Sequence, residues 1–288
     1  MKKKILITGI NGFLGSNLAI SLEKSYEVIG LEHSLDNLFR IESKNFKVYS
    51  TVKDSLETIF NENIFYAVLH VATIYRREEE PLADLLNTNV LLPIKLLELS
   101  NKFKVNLFLN TDSFFNDASY SYSYLSDYTL SKKHSLEWIK LISNLVTCKV
   151  VNMKVFHMYG DNDAPGKFIP SIIERLKSNV PSIDMTPGEQ TRDFIYVKDV
   201  TSAFDFILNS FDTLQTYQEF EIGSGKSFSI KHVTELIKDI TNSRTKLNFG
   251  AIDYRDGEIM NSNSNILGLL KLQWRPKYTI ESGLKDYL

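Results

Sequence analysis

The first 156 residues alternate between short apolar runs and longer segments in which apolar residues recur at helical spacing. The short runs have the length and composition of buried strands. They are the segments 4–9, 26–32, 47–51, 66–72, 106–111 and 148–155. The segments with helical spacing are 13–25, 55–63, 81–103 and 127–143. Strands that alternate with helices predict an α/β fold, a doubly wound parallel sheet of the Rossmann type.

The pattern changes after Phe156. A cluster of Asp, Asn, Pro and Gly at 160–166 precedes a helix predicted over 168–178, and a further strand and helix are predicted at about 194–210. This change of texture predicts a second, smaller lobe. The predicted domains are a Rossmann-type sheet domain, 1–156 with sheet elements from about 191–225, and a smaller C-terminal lobe, 157–190 and 226–288.

The composition excludes several classes of protein. A net charge of −2 over 288 residues gives no basic surface for nucleic acid. The single cysteine, Cys148, excludes an internal disulfide and a cysteine-based zinc site, and we predict no metal. No segment reaches the roughly 18 apolar residues of a membrane helix, and the N-terminal residues lack a signal-peptide pattern. We therefore expect a cytoplasmic protein that binds neither nucleic acid nor membranes.

Three glycines lie between the first predicted strand and the first predicted helix. Gly9, Gly12 and Gly15 form a G-x-x-G-x-x-G pattern at this turn. Glycine lets the backbone and the helix N terminus approach a pyrophosphate closely, so the turn is a candidate dinucleotide site; a merely tight turn is the alternative. The predicted cofactor contacts here are Gly9, Asn11, Gly12, Phe13, Leu14 and Gly15.

Glu32 ends the second strand, where the adenosine ribose lies in dinucleotide-binding folds. Its carboxylate would accept both ribose hydroxyls and repel a 2′-phosphate, which favours NADH. His33 and Ser34 follow and could instead hold a phosphate, or Glu32 could simply be a solvated strand end. Further cofactor contacts are predicted at His33 and at the ends of later strands, at Thr51, Val52, Val71, Ala72 and Thr73.

The stretch FLNTDSFF places Thr111, Asp112 and Ser113 at the end of an apolar strand, where polar side chains are costly to bury without a use. Tyr128 and Lys132 follow, four residues apart on one predicted helical face. A lysine ammonium beside a tyrosine lowers the tyrosine pKa from about 10, so that the phenol can exchange a proton with a carbonyl or hydroxyl. The alternatives are a capping hydroxyl at Thr111 and an aromatic loop formed with Tyr120, Tyr122 and Tyr124.

Together, the glycine pattern, the strand-end hydroxyl and the Tyr-x-x-x-Lys pair resemble the extended short-chain dehydrogenase/reductase family, or NAD-dependent epimerase/dehydratase family. The resemblance extends over essentially the whole chain. Its other segments are LLNTNVLLPIKLLE, VFHMYG, GEQTRDFIYVKDV, FEIGSG and LKLQWRPKYTIESGL. The Arg-Asp-Phe segment is similar to a signature of nucleotide-sugar members.

The resemblance implies a role for each residue of the strand end. Thr111 would bind the C4 oxygen of a sugar, Tyr128 would protonate it as the nicotinamide delivers hydride, and Lys132 would hold the nicotinamide ribose. Sugar-nucleotide dehydratases of the family carry Glu where this chain has Ser113. Because a serine hydroxyl is no strong base at neutral pH, we expect no dehydration. Asp112 would bind the sugar or cap the loop.

Further site residues come from matches to the family's motifs. Arg192 and Arg255 suit a pyrophosphate, because a guanidinium binds phosphate oxygens bidentately; the alternative for each is an ordinary surface residue. His157 would be a substrate contact or a packed core histidine. The additional cofactor contacts implied are Asn89, Asn110 and Phe156. The substrate contacts implied are Asp112, Ser113, His157, Lys167, Phe168, Arg192 and Arg255.

The segments FLNTDSFF, KFIPSII, GEQTRDFI and FGAIDYRDGEIM resemble family members that reduce the 4-keto group of a CDP-3,6-dideoxy-hexulose. This implies CDP-abequose or CDP-paratose as product, in O-antigen and lipopolysaccharide biosynthesis. It also implies NADPH, whereas Glu32 favours NADH. The alternatives are a nucleotide-sugar 4-epimerase with tightly bound NAD and a non-catalytic dinucleotide-binding sensor. The resemblance also implies a homodimer built from the helices at 81–103 and 127–143, which is typical of the family.

Overall fold

The computed structural model describes residues 2–76, 80–116 and 125–288, which fold as two compact units. The described part of the first unit is 2–76, 80–116, 125–154 and 201–220; the second unit is 155–200 and 221–288. The strands are β1 Lys4–Thr8, β2 Glu27–Glu32, β3 Lys47–Ser50, β4 Phe65–His70, β5 Leu107–Ser113, β6 Lys149–Val155, β7 His157–Tyr159, β8 Ser182–Met185, β9 Thr191–Arg192, β10 Phe194–Tyr196, β11 Tyr217–Ile222, β12 Phe228–Ser229 and β13 Lys246–Phe249.

The helices flank these strands along the chain. They are α1 Phe13–Leu22, α2 Leu56–Glu62, α3 Leu82–Leu86, α4 Leu92–Lys102, α5 Ser126–Ser143, α6 Phe168–Lys177, α7 Val197–Asn209, α8 Ile230–Thr241, α9 Leu267–Lys271 and α10 Ile280–Tyr287. A π-helical turn, Asn87–Leu91, joins α3 to α4. No helix of the residues described here is long and apolar enough to cross a membrane.

The predicted Rossmann-type fold is confirmed. Seven strands form one sheet in the order β11-β6-β5-β4-β1-β2-β3, with β1 paired in parallel to both β2 and β4, and β4 in parallel to β5. The strand order reverses at β1, and this arrangement brings the carboxyl ends of β1, β4 and β5 to the same edge. Residues at those ends can therefore form one site.

Apolar side chains of the strands pack against the helices that cover the sheet and form the core. Leu6, Val68, Phe108 and Val150 are almost completely buried and form one cluster with Leu97 and Ile139 of the packed helices. Burying each such side chain contributes about 1.5–3 kcal/mol relative to leaving it in water. The core therefore holds the strand ends, and the polar residues that follow them, in fixed positions.

The second unit consists of small sheets and helices. β7 pairs in parallel with β10, and β8 in parallel with β13, while β9 and β12 are antiparallel. The buried carboxylate of Asp193 accepts hydrogen bonds from the backbone N–H groups of Ser224 (2.8 Å), Gly225 (3.0 Å) and Ser264 (3.1 Å). This carboxylate ties together three segments that lie far apart in the sequence.

Candidate active site

The glycine turn after β1 has the shape that the sequence predicts. Gly9 has a φ of +63°, and a Cβ added there would lie 2.8 Å from the Cα of Ala72. A Cβ on Gly15 would lie 2.0 Å from the carbonyl oxygen of Gly9. No larger residue fits either position. Gly12 is the N-cap of α1, so the helix begins without a capping side chain in front of it. This cradle fits a pyrophosphate.

Glu32 lies beside this turn with its carboxylate held by the backbone. Its Oε2 accepts a hydrogen bond from the N–H of Asn11 (2.9 Å), and its Oε1 accepts one from the N–H of His33 (3.3 Å). The imidazole of His33 in turn lies 3.4 Å from the hydroxyl of Thr51. The structure therefore brings these four predicted cofactor residues together, while Val52, beyond β3, is exposed.

Thr8 and His70 join the ends of β1 and β4, and the sequence singled out neither. The Thr8 hydroxyl accepts hydrogen bonds from the N–H groups of Val71 and Ala72, both at 3.1 Å, and lies 3.0 Å from His70 Nδ1. Burial, with a smaller contribution from the charge of Lys132, lowers the pKa of His70 to about 3. The predicted contacts Val71 and Ala72 are thus positioned by a neutral, buried Thr8–His70 pair.

Replacing His70 with Asn is expected to make stability less dependent on pH. The native state keeps His70 uncharged down to about pH 3, whereas the unfolded chain takes up a proton at about pH 6.5. Lowering the pH through this window therefore favours the unfolded state and reduces wild-type stability by roughly 3 kcal/mol between pH 6.5 and pH 4. Urea unfolding across this range measures the slope. An equally steep decline in the variant would contradict this role.

Asn89 lies in the π-helical turn and uses its whole side chain on protein groups. Its Oδ1 accepts from the N–H of Ile74 (2.8 Å) and the hydroxyl of Thr73 (3.2 Å), while its Nδ2 donates to the Ile74 carbonyl (2.8 Å) and the Ser131 hydroxyl (2.9 Å). These bonds satisfy the donors and the acceptor of Asn89 and connect the segment after β4 to α5. The contact of Asn89 with the cofactor stays a prediction.

Side chains alternate along β5, so that its two faces have different functions. Asn110 donates to Asn152 Oδ1 (2.7 Å), and Asn152 donates to Asp112 Oδ2 (3.0 Å). Asp112 Oδ1 accepts from the N–H of Ser113 (2.8 Å). Burial raises the pKa of Asp112, against the opposing effects of Asn152 and Lys132. Asn110 and Asp112 therefore both form hydrogen bonds within the protein, while Asn110 Oδ1 is buried without a partner among the described residues. Their contacts with cofactor and substrate stay predictions.

The other face of β5 carries Thr111 beside Tyr128 and Lys132 of α5. Lys132 Nζ donates to the backbone carbonyl of Thr111 (2.8 Å). The Thr111 hydroxyl is buried and has no hydrogen-bond partner among the described residues. A buried hydroxyl without a partner is unfavourable unless a ligand supplies one. The Thr111 hydroxyl can thus donate a hydrogen bond to a ligand oxygen.

The protonation of this pair differs from the sequence-based expectation. Burial, and then the neighbouring Tyr75, raise the pKa of Tyr128 well above its ordinary value of about 10, while a hydrogen bond from Ser113 opposes them. Burial lowers the pKa of Lys132 to about 8, against the attraction of Asp112. The expected lowering of the Tyr128 pKa by Lys132 is therefore absent here, because burial dominates. Tyr128 is held as a neutral phenol.

Aromatic rings surround the Tyr128 phenol. Tyr75 stacks on it with ring centroids 4.5 Å apart and an interplanar angle of 26°. Phe115 meets it edge-on, with centroids 6.4 Å apart. Tyr120, Tyr122 and Tyr124, which formed the alternative aromatic loop, lie outside the described residues.

Four of the predicted substrate residues of the second unit lie in or near the paired strands β7 and β10. They are His157, Lys167, Phe168 and Arg192. Phe194 packs against the rings of His157 (5.8 Å between centroids) and Phe168 (6.0 Å). Arg192 forms a partly buried ion pair with Glu258 and donates to the carbonyl of Thr191 at 2.8 Å. Burial, with the charges of Arg192 and Lys167, lowers the pKa of His157 well below its ordinary value.

The two remaining predicted residues of this unit, Phe156 and Arg255, lie outside this group. Arg255 is exposed, and its carbonyl accepts a hydrogen bond from the N–H of Glu258 (3.1 Å). Phe156, predicted to contact the cofactor, is buried, and its N–H donates to the carbonyl of Ile222 (3.0 Å). Glu258 was missed by the sequence reasoning, although it lies three residues after Arg255 in the same motif.

A family model described as the NAD dependent epimerase/dehydratase family matches residues 5–223. The chain belongs to this family. CDP-abequose synthase of Salmonella muenchen is 37% identical over 290 residues, covering 100% of this chain and 98% of that protein. CDP-abequose synthase of Salmonella typhimurium is 31% identical over 293 residues, with the same coverage. These relatives and the family identify an oxidoreductase that uses a nicotinamide cofactor.

A solved structure shares the fold of this oxidoreductase. UDP-glucuronic acid 4-epimerase from Bacillus cereus, in complex with UDP-glucuronic acid and NAD, superposes with a TM-score of 0.84. It is 22% identical and covers 99% of this chain and 97% of its own. At this identity, the likeness concerns the fold.

The described residues fit a nicotinamide dinucleotide. The backbone at the glycine turn suits a pyrophosphate, the Glu32 carboxylate suits hydroxyl donors, and Thr111 offers a buried hydroxyl that has no hydrogen-bond partner within 2–76, 80–116 and 125–288. Tyr128 supplies a neutral phenol and Lys132 a buried amine beside it. This arrangement can protonate a carbonyl oxygen as a hydride reaches its carbon.

Proposed function

We propose that this enzyme reduces the 4-keto group of a nucleotide 3,6-dideoxy-4-keto-hexose, specifically the CDP sugar, to CDP-abequose or CDP-paratose. The observation that carries the proposal is the Thr111, Tyr128 and Lys132 group at the end of β5, with Ser113 beside it. The full-length similarity to CDP-abequose synthases supports the CDP sugar as substrate. Such a product is a precursor of O-antigen sugars, made in the cytoplasm.

In the proposed reaction, the Thr111 hydroxyl donates a hydrogen bond to the C4 oxygen of the sugar, and Tyr128 donates its proton to the same oxygen. When bound, the nicotinamide supplies the hydride to C4. The carbonyl thus becomes a secondary alcohol and Tyr128 becomes a phenolate. The Lys132 ammonium stabilises that phenolate and holds the nicotinamide ribose, and solvent returns the proton to Tyr128.

Ser113 supports reduction rather than dehydration. A dehydratase needs a carboxylate base at this point, and the serine hydroxyl here bonds to Tyr128 instead. Asp112, the neighbouring carboxylate, is turned into the protein and bound by Asn152 and the N–H of Ser113. Among the described residues of this strand end, no carboxylate is therefore placed to remove a sugar proton.

A 4-epimerase is the second candidate, because it needs the same hydroxyl, phenol and lysine. The two functions differ in what happens to the cofactor. A reductase oxidises NADH or NADPH in proportion to the sugar added, whereas an epimerase retains NAD and gives no net oxidation. Absorbance of the purified protein and of reactions with CDP- and dTDP-4-keto sugars separates them. No oxidation with any of these sugars would refute the reductase, and a sensor would bind cofactor without turnover.

Glu32 is proposed to select NADH over NADPH, since its carboxylate would meet the 2′-phosphate of NADPH. The Glu32→Gln variant removes that repulsion and keeps one hydrogen-bond acceptor. We expect the ratio of kcat/KM for NADPH to that for NADH to rise by about tenfold, or roughly 1.4 kcal/mol. Steady-state kinetics with both cofactors measure the ratio. An unchanged ratio would show that Glu32 does not select the cofactor.

Arg192 is proposed to bind the pyrophosphate of the substrate, with His157, Lys167, Phe168 and Arg255 completing the nucleotide site. Glu258 supports the assignment, because its ion pair holds the guanidinium of Arg192 in one orientation. An arginine that is already oriented loses less conformational entropy on binding an anion.

We also propose that the enzyme is a homodimer built on α5 and its neighbours α3 and α4. Large apolar side chains on these helices are exposed, namely Leu82, Leu86, Leu91, Leu130, Trp138 and Leu141. α5 packs against α3, the π-helical turn and α4, so that these residues belong to one layer of helices. An exposed apolar group of this kind is typical of an interface.

The Trp138→Glu variant is expected to shift the proposed dimer to monomer, because a buried unpaired carboxylate destabilises an apolar interface. Light scattering coupled to size exclusion measures the mass. Ile64→Glu is the matched control, because Ile64 is also an exposed apolar residue but lies between α2 and β4. A wild type that is already monomeric, or a Trp138→Glu variant that remains dimeric, would refute this interface.

A further inference from the structure

Tyr75 contributes a second phenol to the site of Tyr128. Its ring stacks on the Tyr128 ring at 4.5 Å between centroids, and its presence raises the pKa of the Tyr128 phenol. Tyr75 follows β4 in the chain, whereas Tyr128 belongs to α5, so that the two rings come from different elements. The two phenols therefore form a pair that the sequence spacing does not reveal.

The backbone around Tyr75 is fixed by the same residues that fix Tyr128. Asn89 binds both the N–H and the carbonyl of Ile74, each at 2.8 Å. Its Nδ2 also donates to the Ser131 hydroxyl (2.9 Å), which donates in turn to the backbone carbonyl of Tyr128 (2.7 Å). One buried asparagine thus connects the residue before Tyr75 to the turn of α5 that carries Tyr128. These hydrogen bonds fix the backbone beside both stacked rings.

We propose that Tyr75 is a positioning residue for the proton donor: its ring orients the Tyr128 phenol, and its hydroxyl accepts a hydrogen bond from the Tyr128 hydroxyl in the resting enzyme. A hydrogen bond donated by the neutral phenol favours the protonated form. Ser113 acts in the opposite direction, because it donates to the Tyr128 oxygen and so favours the phenolate. Tyr75 thereby keeps the Tyr128 phenol protonated, and this is the proton that the reduction consumes.

The other groups that face Tyr128 do not replace this effect. The titratable neighbours are Tyr75 from the segment after β4, Asp112 from β5 and Lys132 from the next turn of α5. Asp112 is engaged with Asn152 and Ser113, and Lys132 with the Thr111 carbonyl. Tyr75 is the neighbour among these whose ring stacks on the Tyr128 phenol.

The test is a pH titration of the full chain labelled with [13Cζ]tyrosine, with the Tyr128 resonance assigned from the Tyr128→Phe variant. In Tyr75→Phe, which keeps the ring, we expect Tyr128 to ionise about one pH unit lower than in wild type, a tenfold change in the equilibrium. Ser113→Ala should shift the titration in the opposite direction. Tyr66→Phe is the control, because its hydroxyl bonds to the Leu208 carbonyl, away from Tyr128.

An unchanged or raised ionisation pH of Tyr128 in Tyr75→Phe would overturn the inference. Although the inference rests on Tyr128 being the proton donor of the proposed reaction, the titration needs no substrate. A protein that shows the shift but turns over no keto sugar would refute the reaction and not the pairing. If the enzyme is active, the alkaline limb of the kcat profile in Tyr75→Phe moves to lower pH, with KM for NADH unchanged. Tyr75→Leu, which also removes the stack, lowers kcat further.

Discussion

Replacing Tyr128 with Phe is expected to lower kcat for the reduction of CDP-3,6-dideoxy-4-keto-hexose by about 10²–10⁴-fold, the usual contribution of a positioned acid. The phenol is buried and neutral on α5, which contacts the strand β5 that carries Thr111, so that its loss removes the proton source and little else. The dissociation constant for NADH should stay unchanged, because the phenylalanine ring preserves the stack with Tyr75. Single-turnover kinetics and fluorescence titration with NADH measure the two quantities.

The control for Tyr128→Phe is again Tyr66→Phe, which removes a tyrosine hydroxyl from the same unit without touching the strand ends at β5. It should keep the wild-type kcat. Turnover by Tyr128→Phe at the wild-type rate would mean that another group protonates the C4 oxygen, and the assignment of the acid would be wrong.

Replacing Lys132 with Met is expected to separate activity from stability. Turnover should fall by at least about 10²-fold, because the ammonium no longer stabilises the Tyr128 phenolate. The free energy of unfolding near pH 7 should not fall and is expected to rise by roughly 1–3 kcal/mol, since burial disfavours the charged lysine and the variant is apolar. Urea unfolding and steady-state kinetics on the same samples test both parts.

The stability difference between Lys132→Met and wild type should itself depend on pH. The native lysine has a pKa of about 8, below the unfolded value of about 10.5, so the unfolded chain binds more protons between these values. Wild-type stability therefore rises with pH from about 8 to about 10.5, and the advantage of the variant shrinks there. A variant that is much less stable than wild type at pH 7 would show that the lysine supports the fold.

The order of strands and helices in the first unit follows from the sequence because each strand is an apolar run with a clear end. Two details depended on tertiary contacts. β5 continues through Asp112 and Ser113 because Asn152 and Tyr128, distant in sequence, provide partners for their side chains. The helix predicted over 81–103 contains a π-helical turn, which places Asn89 against Ile74 and Ser131. Local patterns contain neither contact.

The residues of the candidate site also fall into those that a local sequence motif predicts and those that depend on tertiary contacts. The glycine turn and the Tyr128 and Lys132 pair are local motifs; in the structure the turn is too tight for a larger residue, and Lys132 bonds to the carbonyl of Thr111. Tyr75 and the Thr8–His70 pair lack a local signature, because their partners lie 53 and 62 residues away. The direction of the Tyr128 pKa also needed the structure, since burial outweighs the lysine and sequence spacing does not report burial.

The most direct test of the proposed reduction uses NADH with deuterium at its transferable position and the CDP-3,6-dideoxy-4-keto-hexose. We expect oxidation of one NADH per sugar and a product whose NMR spectrum shows a new alcohol at C4 that carries the deuterium. The same spectrum identifies the product as CDP-abequose or CDP-paratose. Recovery of the unreduced keto sugar with all NADH intact, or conversion of a 4-hydroxy nucleotide sugar to its C4 epimer without net oxidation, would contradict the proposed reduction.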